Sequence, residues 1–272
     1  MWYNVINKKI ILKGEGSVEE MFKKALEIPS LANFKNVLVV GPHPDDIEIG
    51  AGGFVSRLIK KGYKVTYLIC TDGGSGTRDY HVKITDLIKI RKEESLAAAK
   101  LMGVAEVYFL DYPDGGIYDT ARMSSDISRI IIAVKPDLIL CPDPNLSNET
   151  HPDHLNVGEA TRRSLVAAMY PNSARRHGLE IDESTVLPQG ITLGYYYTDR
   201  ANTIIDLTDE DFMKQVAALK CHQSQMDSSM DMVIGYLKMR GQKLGSTINA
   251  PHGEGYFVLA PIHQHCFLEK LS

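Results

Sequence analysis

The sequence predicts a doubly wound α/β fold, with a mostly parallel, Rossmann-like sheet and additions towards the C-terminus. Two observations carry that expectation. Four short apolar runs are continuous rather than alternating, as strands covered on both faces should be. Between them lie stretches with the apolar spacing of amphipathic helices, and such alternation builds right-handed crossovers.

The first strand is "NVLVVG" (36–41). A helix, "GGFVSRLIKKG", then runs into Gly62 as its C-cap and leads to the second strand, "KVTYLIC" (64–70). "LIKIRKEESLAAAKLMGV" is the next helix, rich in Ala and Leu and closed at Gly103. "EVYFLDY" (106–112) is the third strand. "SSDISRIIIAVKP" opens on serine caps and stops before Pro136, and "DLILCPD" (137–143) is the fourth strand. The second half is less regular. "DHLNVGEATRRSLVAAMY" reads as a helix, "GITLGYYYT" and "NTIIDLT" as strands, and "DEDFMKQVAALKCHQSQ" as a helix capped near Asp209. The tail from Gly235 fits no element. With no internal repeat, low-complexity tract or linker, residues 1–272 are expected to form one domain.

Composition narrows the function. A chain of 272 residues with 44% hydrophobic content can bury a full core. Its net charge of −4 argues against a general nucleic-acid binder, which carries a basic stripe. No apolar run approaches the ~20 residues of a membrane span, so no membrane partner is expected. The opening "MWYNVINKKIILKGEG" interrupts its apolar residues with Asn, Lys and Gly, unlike a signal peptide. Four cysteines without CxxC spacing are expected to be free thiols in a reducing cytoplasm.

The chemistry is concentrated after two of the strands. His43-Pro44-Asp45-Asp46 directly follows the first, and His151-Pro152-Asp153-His154 shortly follows the fourth. A sheet order beginning 3-2-1-4 would make those strands neighbours whose connections leave in opposite directions. Ligands bind in the crevice at such a switch point. Adjacent carboxylates repel unless something positive sits between them. Two histidines and a carboxylate make a good zinc site, and three protein ligands leave a fourth position for water. One Asp then ligates, while its neighbour stays free to act on a water whose pKa zinc lowers to about 7. Pro44 and Pro152 restrict the loop backbones that aim these groups.

"PHPDD" and "HPDH" on such a fold resemble the PIG-L/LmbE family of zinc-dependent N-acetylglucosaminyl deacetylases. "TDGGSGTR" (71–78), "RKEE" (91–94), "YPDG" (112–115) and "HQSQ" (222–225) extend the likeness over residues 36–225. Length and the long tail look most like the diacetylchitobiose deacetylase branch. The family's commonest form has Glu directly after the second Asp, whereas this chain has Ile47 there and Glu48 one later. The resemblance implies His43, Asp46 and His154 as Zn2+ ligands and Asp45 as general base. It implies His151 and Asp153 as a pair that orients or tunes that base, and Arg91 and Asp114 as groups that hold sugar hydroxyls. Arg91 also reads as an i,i+3 partner of Glu94 on a solvated helix face. The implied reaction is hydrolysis of the acetamide of a small amino-sugar substrate, N-acetylglucosamine or chitin-derived diacetylchitobiose, to free amine and acetate. A thiol-precursor conjugate and an inositol conjugate stay open as substrates, and a non-catalytic zinc- or sugar-binding protein as an alternative class. The oligomeric state is open too, a homo-oligomer included.

Two glycine-rich stretches and the tail complete the reading. "DGGSG" lacks the Lys-Ser/Thr ending of a phosphate loop, so it is expected to let backbone pass close to the substrate. "GAGG" (50–53) lies beyond the strand–helix turn and contains no GxGxxG, which argues against a dinucleotide-binding dehydrogenase. One compact ligand set argues against a two-metal phosphatase. In "APIHQHCFLEK", His263 and His265 alternate and would share a face on a strand. His263 is expected to donate to the tetrahedral oxygen, across a subunit interface if the tail leaves its own domain. Tyr195, Tyr196 and Tyr197 are the alternative donors.

Overall fold

A computed structural model of the chain describes residues 18–225 and 228–266. The four continuous apolar runs become strands β1 (Asn36–Gly41), β2 (Lys64–Thr71), β3 (Glu106–Tyr112) and β4 (Leu138–Pro142). Strands β5 (Thr192–Tyr196), β6 (Thr203–Leu207) and β7 (His252–Leu259) extend them into a seven-stranded sheet of order β3-β2-β1-β4-β5-β7-β6. The pairs β3–β2, β2–β1, β1–β4 and β4–β5 are parallel, while β7 runs against both β5 and β6. The order therefore begins as the sequence implies, with β1 beside β4 and a switch point between them.

Why the runs are continuous is visible along β1. Val37 and Val39 enter one core, with Phe54 and Leu58 of helix α2 (Asp46–Lys60) and Ala98 of α3 (Ile84–Met102). Leu38 and Val40 enter the other, with Ile127 and Ile131 of α4 (Thr120–Val134) and Val157 of α5 (Pro152–Met169). Side chains alternate across a strand, so two buried faces require apolar residues at every position.

The remaining helices are α1 (Val18–Leu26), α6 (Pro171–Arg176), α7 (Asp209–Leu219) and α8 (Ser228–Ser246). Several ends differ from expectation. Helix α4 starts at Thr120, before the serines. Its cap is Asp119, whose carboxylate accepts the backbone N–H of Ala121 and Arg122, while Ser124 is buried. Thr208, not Asp209, caps α7, in a capping box with Asp211. That helix stops at Leu219, so His222–Gln225 lies in a turn. Helix α8 was not anticipated, because Gly235, Gly241 and Gly245 dilute its pattern. Gly245 is there for contact: a Cβ would stand 2.6 Å from the Ala250 carbonyl oxygen. Nor do the tail histidines share a face, as they would on a strand. Beyond Leu259 the chain turns through Pro261–Gln264, leaving His263 buried and His265 exposed. No helix among the described residues is long and apolar enough to cross a membrane.

"GAGG" has a packing explanation. A Cβ on Gly50 would lie 2.3 Å from the Tyr196 ring, one on Gly52 2.8 Å from Gln215, and one on Gly53 2.4 Å from Leu207. Glu254 of β7 accepts the backbone N–H of Gly53 (2.8 Å) and Phe54 (2.9 Å), and Gln215 donates to the Glu48 carbonyl (2.9 Å). The glycines let β7 and α7 reach the backbone of α2, and α2 carries Asp46 in its first turn.

Candidate active site

The β1–α2 connection is sharply bent. Asp45 has φ 113, a left-handed value that non-glycine residues rarely adopt, and its side chain makes no capping hydrogen bond. Its carboxylate is thus released from the helix and stands 3.3 Å from Nη2 of Arg91. Asp46 points the other way. Its Oδ2 accepts the backbone N–H of His43 and meets His43 Nδ1, both at 2.9 Å, while its Oδ1 lies 3.3 Å from His154 Nε2. The crevice beside β4 is closed by the first turn of α5, where His151 caps the helix and accepts from the N–H of Asp153. The two motifs do face each other.

His43 is the hub. Its Nε2 lies 2.9 Å from Asp153 Oδ2 and 3.3 Å from Asp114 Oδ1. Asp153 is fully buried and also accepts from Tyr118 Oη (2.7 Å) and the Gly115 N–H (2.9 Å). It therefore orients His43, whereas the sequence led us to expect it to tune Asp45. His151 packs edge-on against His43 with ring centroids 4.5 Å apart, and its Nδ1 is 3.9 Å from Asp153. His154 stacks on Tyr197 at 5.5 Å, and the Tyr197 hydroxyl donates to the Asp46 carbonyl (3.2 Å). Glu149 Oε2 lies 2.9 Å from Nδ1, the far nitrogen of His154. Glu149 and Tyr118 were overlooked. Glu149 sits inside "NETHPDH", two residues before His151, where its proximity was the available signal.

Ionisation follows from this packing. Burial lifts Asp45 to about 6, although the Arg91 guanidinium opposes the shift. Burial would also lift Asp46, but His154 and His43 hold it well below the carboxylate range. Asp153 is likewise brought down to about 2, chiefly by His43, against its own desolvation. Burial depresses His43, yet the carboxylates of Asp114, Asp153 and Asp46 outweigh it and keep the imidazole well above its usual value.

The donors suit a divalent metal. Ligand atoms of His43, His151 and His154 lie within 4.8 Å of one another, as do those of His43, Asp114, His151 and Asp153. Asp46 adds a carboxylate with one oxygen on each of His43 and His154. With a metal on Nδ1, His43 would give its Nε2–H to Asp153, the histidine–carboxylate pairing of metal sites. Imidazole nitrogen with carboxylate oxygen is ordinary zinc chemistry.

Arg91 does not lie on the solvated helix face that pairing with Glu94 would give it. It is 3% exposed, and Glu94 is paired with Ser224 instead. Its guanidinium donates to the carbonyls of Gly73 (2.9 Å) and Pro44 (2.7 Å) as well as facing Asp45. The "DGGSG" glycines make room for it: a Cβ on Gly76 would be 2.2 Å from Arg91 Nη1. That loop thus wraps an arginine, a close backbone approach of the kind expected there, made to Arg91. Asp114 does reach the cluster, with its Oδ2 accepting the Ser75 N–H at 3.1 Å.

His263 is not brought there. Leu259 pairs with Leu193 at the start of β5, so the tail leaves at the amino ends of the parallel strands, opposite the motifs. His263 Nδ1 accepts the Ala260 N–H (3.1 Å), and its Nε2 donates to the Leu26 carbonyl (2.9 Å).

A doubly wound sheet with a His/Asp donor cluster and a spare buried carboxylate at its switch point defines a class, the metal-dependent hydrolases. Residues 38–165 match the PIG-L family, described as GlcNAc-PI de-N-acetylase. The chain is 32% identical over 236 residues to the diacetylchitobiose deacetylase of Thermococcus kodakarensis, with 85% of each chain covered. It is 28% identical over 202 residues to a probable N-acetyl-alpha-D-glucosaminyl L-malate deacetylase 2 of Bacillus cereus, covering 72% of this chain and 86% of that one. The solved N,N'-diacetylchitobiose deacetylase of Pyrococcus horikoshii matches with a TM-score of 0.80 at 29% identity, over 94% of this chain and 98% of that one. The chain belongs to the PIG-L deacetylase family.

Proposed function

We propose that this protein is a zinc-dependent N-deacetylase that acts on diacetylchitobiose or N-acetylglucosamine. The observation that carries the reading is the division of labour between two adjacent carboxylates. Asp46 is bound up with two histidines, while Asp45, on a left-handed backbone, is turned away from them and faces Arg91. Zinc held by His43, Asp46 and His154 would supply a Lewis acid for the acetamide carbonyl. Asp45 takes a proton from the attacking water and returns it to the departing nitrogen. Tyr197, whose hydroxyl already lies at Asp46, donates to the oxygen of the tetrahedral intermediate. Asp114 accepts from a sugar hydroxyl. Arg91 holds Asp45 in place rather than gripping the sugar. The choice of substrate follows the two diacetylchitobiose deacetylases, which cover most of this chain. The thiols of Cys70, Cys141, Cys221 and Cys266 are unpaired, which suits the cytoplasm.

Acetate release from diacetylchitobiose, N-acetylglucosamine, and its malate and inositol conjugates tests the reading, with zinc measured in each sample. Chelation should abolish activity and zinc should restore it. His154→Ala should lose the metal and stay folded. Asp45→Asn should keep the metal and lose turnover by roughly 10²–10⁴-fold. A metal-loaded Asp45→Asn protein with wild-type turnover would remove Asp45 from the role of base.

A further inference from the structure

Behind Asp45 lies a buried polar group that the reaction above leaves unused. His222 follows α7, is fully buried, and places Nε2 3.5 Å from Glu48 Oε2. Glu48 is 1% exposed and sits in the first turn of α2, three residues after Asp45. Among the described residues, neither ring nitrogen of His222 has a hydrogen-bond partner, and neither do Glu48 Oε1 and the hydroxyl of Tyr67. Leaving such atoms unpaired in a core costs stability, and positions of that kind call for an explanation. His222 also acts electrostatically on Asp45 itself.

The turn that delivers His222 is tied to the elements that deliver Arg91. Ser224 donates its N–H and hydroxyl to the two oxygens of Glu94 (2.6 and 2.7 Å), one turn along α3 from Arg91. Gln225 donates to the carbonyl of Gly76 (3.1 Å), in the loop wrapped around the Arg91 guanidinium. Arg91 and His222 thus form one assembly around a backbone that does not hold its own shape, since φ 113 at Asp45 is sustained only by its surroundings. Burial depresses His222, but Glu48 outweighs it and holds the ring above an ordinary imidazole.

We propose that His222 is a positioning residue for Asp45: facing Glu48 at ion-pair distance from a turn tied to the Arg91 loop, it fixes the first turn of α2 so that the Asp45 carboxylate stays aligned for proton transfer. This rests on Asp45 being the base. His222 touches neither substrate nor metal, so its loss lowers kcat and spares KM and zinc content. A misplacement of about 1 Å at a catalytic group costs about 10²-fold.

The test uses the zinc-loaded protein with diacetylchitobiose, reading kcat, KM, zinc content and Tm for four variants. His222→Leu should lose about 10²-fold in kcat, with KM and zinc unchanged, and His222→Gln, which keeps a donor, should retain more turnover. Because His222→Leu strands a buried carboxylate and can fail to fold, Glu48→Gln/His222→Leu removes that charge as well. Its Tm should recover while its kcat stays low. Recovery of kcat together with Tm would make His222 a purely structural residue and overturn the proposal, as would a raised KM or lost zinc. Asp45→Asn separates the two readings. If it is inactive while the double variant is fully active, the positioning role fails and the base stands; if it is active, both fail.

Discussion

At the scale of single residues, Asp46 joins His43 and His154 while the adjacent Asp45 faces Arg91. "PHPDD" and "HPDH" were legible because proline, histidine and aspartate after a buried strand have few other uses. Pair geometry depends on rotations that sequence does not record. Thus Asp153 turned out to hold His43, and Arg91 turned out to be buried. The Arg91 result changes what its replacement should do. A sugar-binding arginine, once replaced, raises KM. This one spans two carbonyls and Asp45 with a planar fork, which lysine cannot reproduce. Arg91→Lys should therefore lower kcat by about 10–10²-fold with little change in KM for diacetylchitobiose. A rise in KM at constant kcat would return Arg91 to the sugar.

At the scale of elements, strands β1 to β4 were legible because two-sided burial leaves no polar position to confuse the pattern. Helix α8 was not, since glycines that serve contact with its neighbours read as breakers. The "GAGG" of α2 shows the same conflict between propensity and packing. Glycine weakens a helix by up to about 1 kcal/mol relative to alanine, so Gly50→Ala would stabilise an isolated α2. Here the new methyl meets a Tyr196 ring that is fully buried and tied by its hydroxyl to the Val40 carbonyl at 2.7 Å. The ring cannot give way cheaply, and overpacking of this kind costs about 1–3 kcal/mol. Urea unfolding should show Gly50→Ala less stable than wild type by that amount. Equal or greater stability would mean that α2 and β5 slide apart freely.

At the scale of the whole molecule, the order β3-β2-β1-β4 places both motifs at the carboxyl ends of the parallel strands, and β7 carries the tail to their amino ends. The first half of that statement could be read from strand–helix alternation. The second could not, because the direction of β7 depends on pairing with β5 and β6, which are far away in sequence. The consequence is a strict limit on His263. Its own chain holds it at the far end on the Leu26 carbonyl, so it can assist the reaction only at the site of a neighbouring copy. If it does, the defects of Asp45→Asn and His263→Ala lie in different chains of one site. Each variant alone should then be inactive, and dissociating and reassembling the two together should restore acetate release. If instead His263 only packs the tail, His263→Ala loses Tm and keeps its kcat, and mixing with Asp45→Asn adds nothing. The geometry favours the second outcome, because both ring nitrogens are already engaged and Tyr197 stands within reach of Asp46. Activity regained on mixing would overturn that preference and make the functional unit an oligomer.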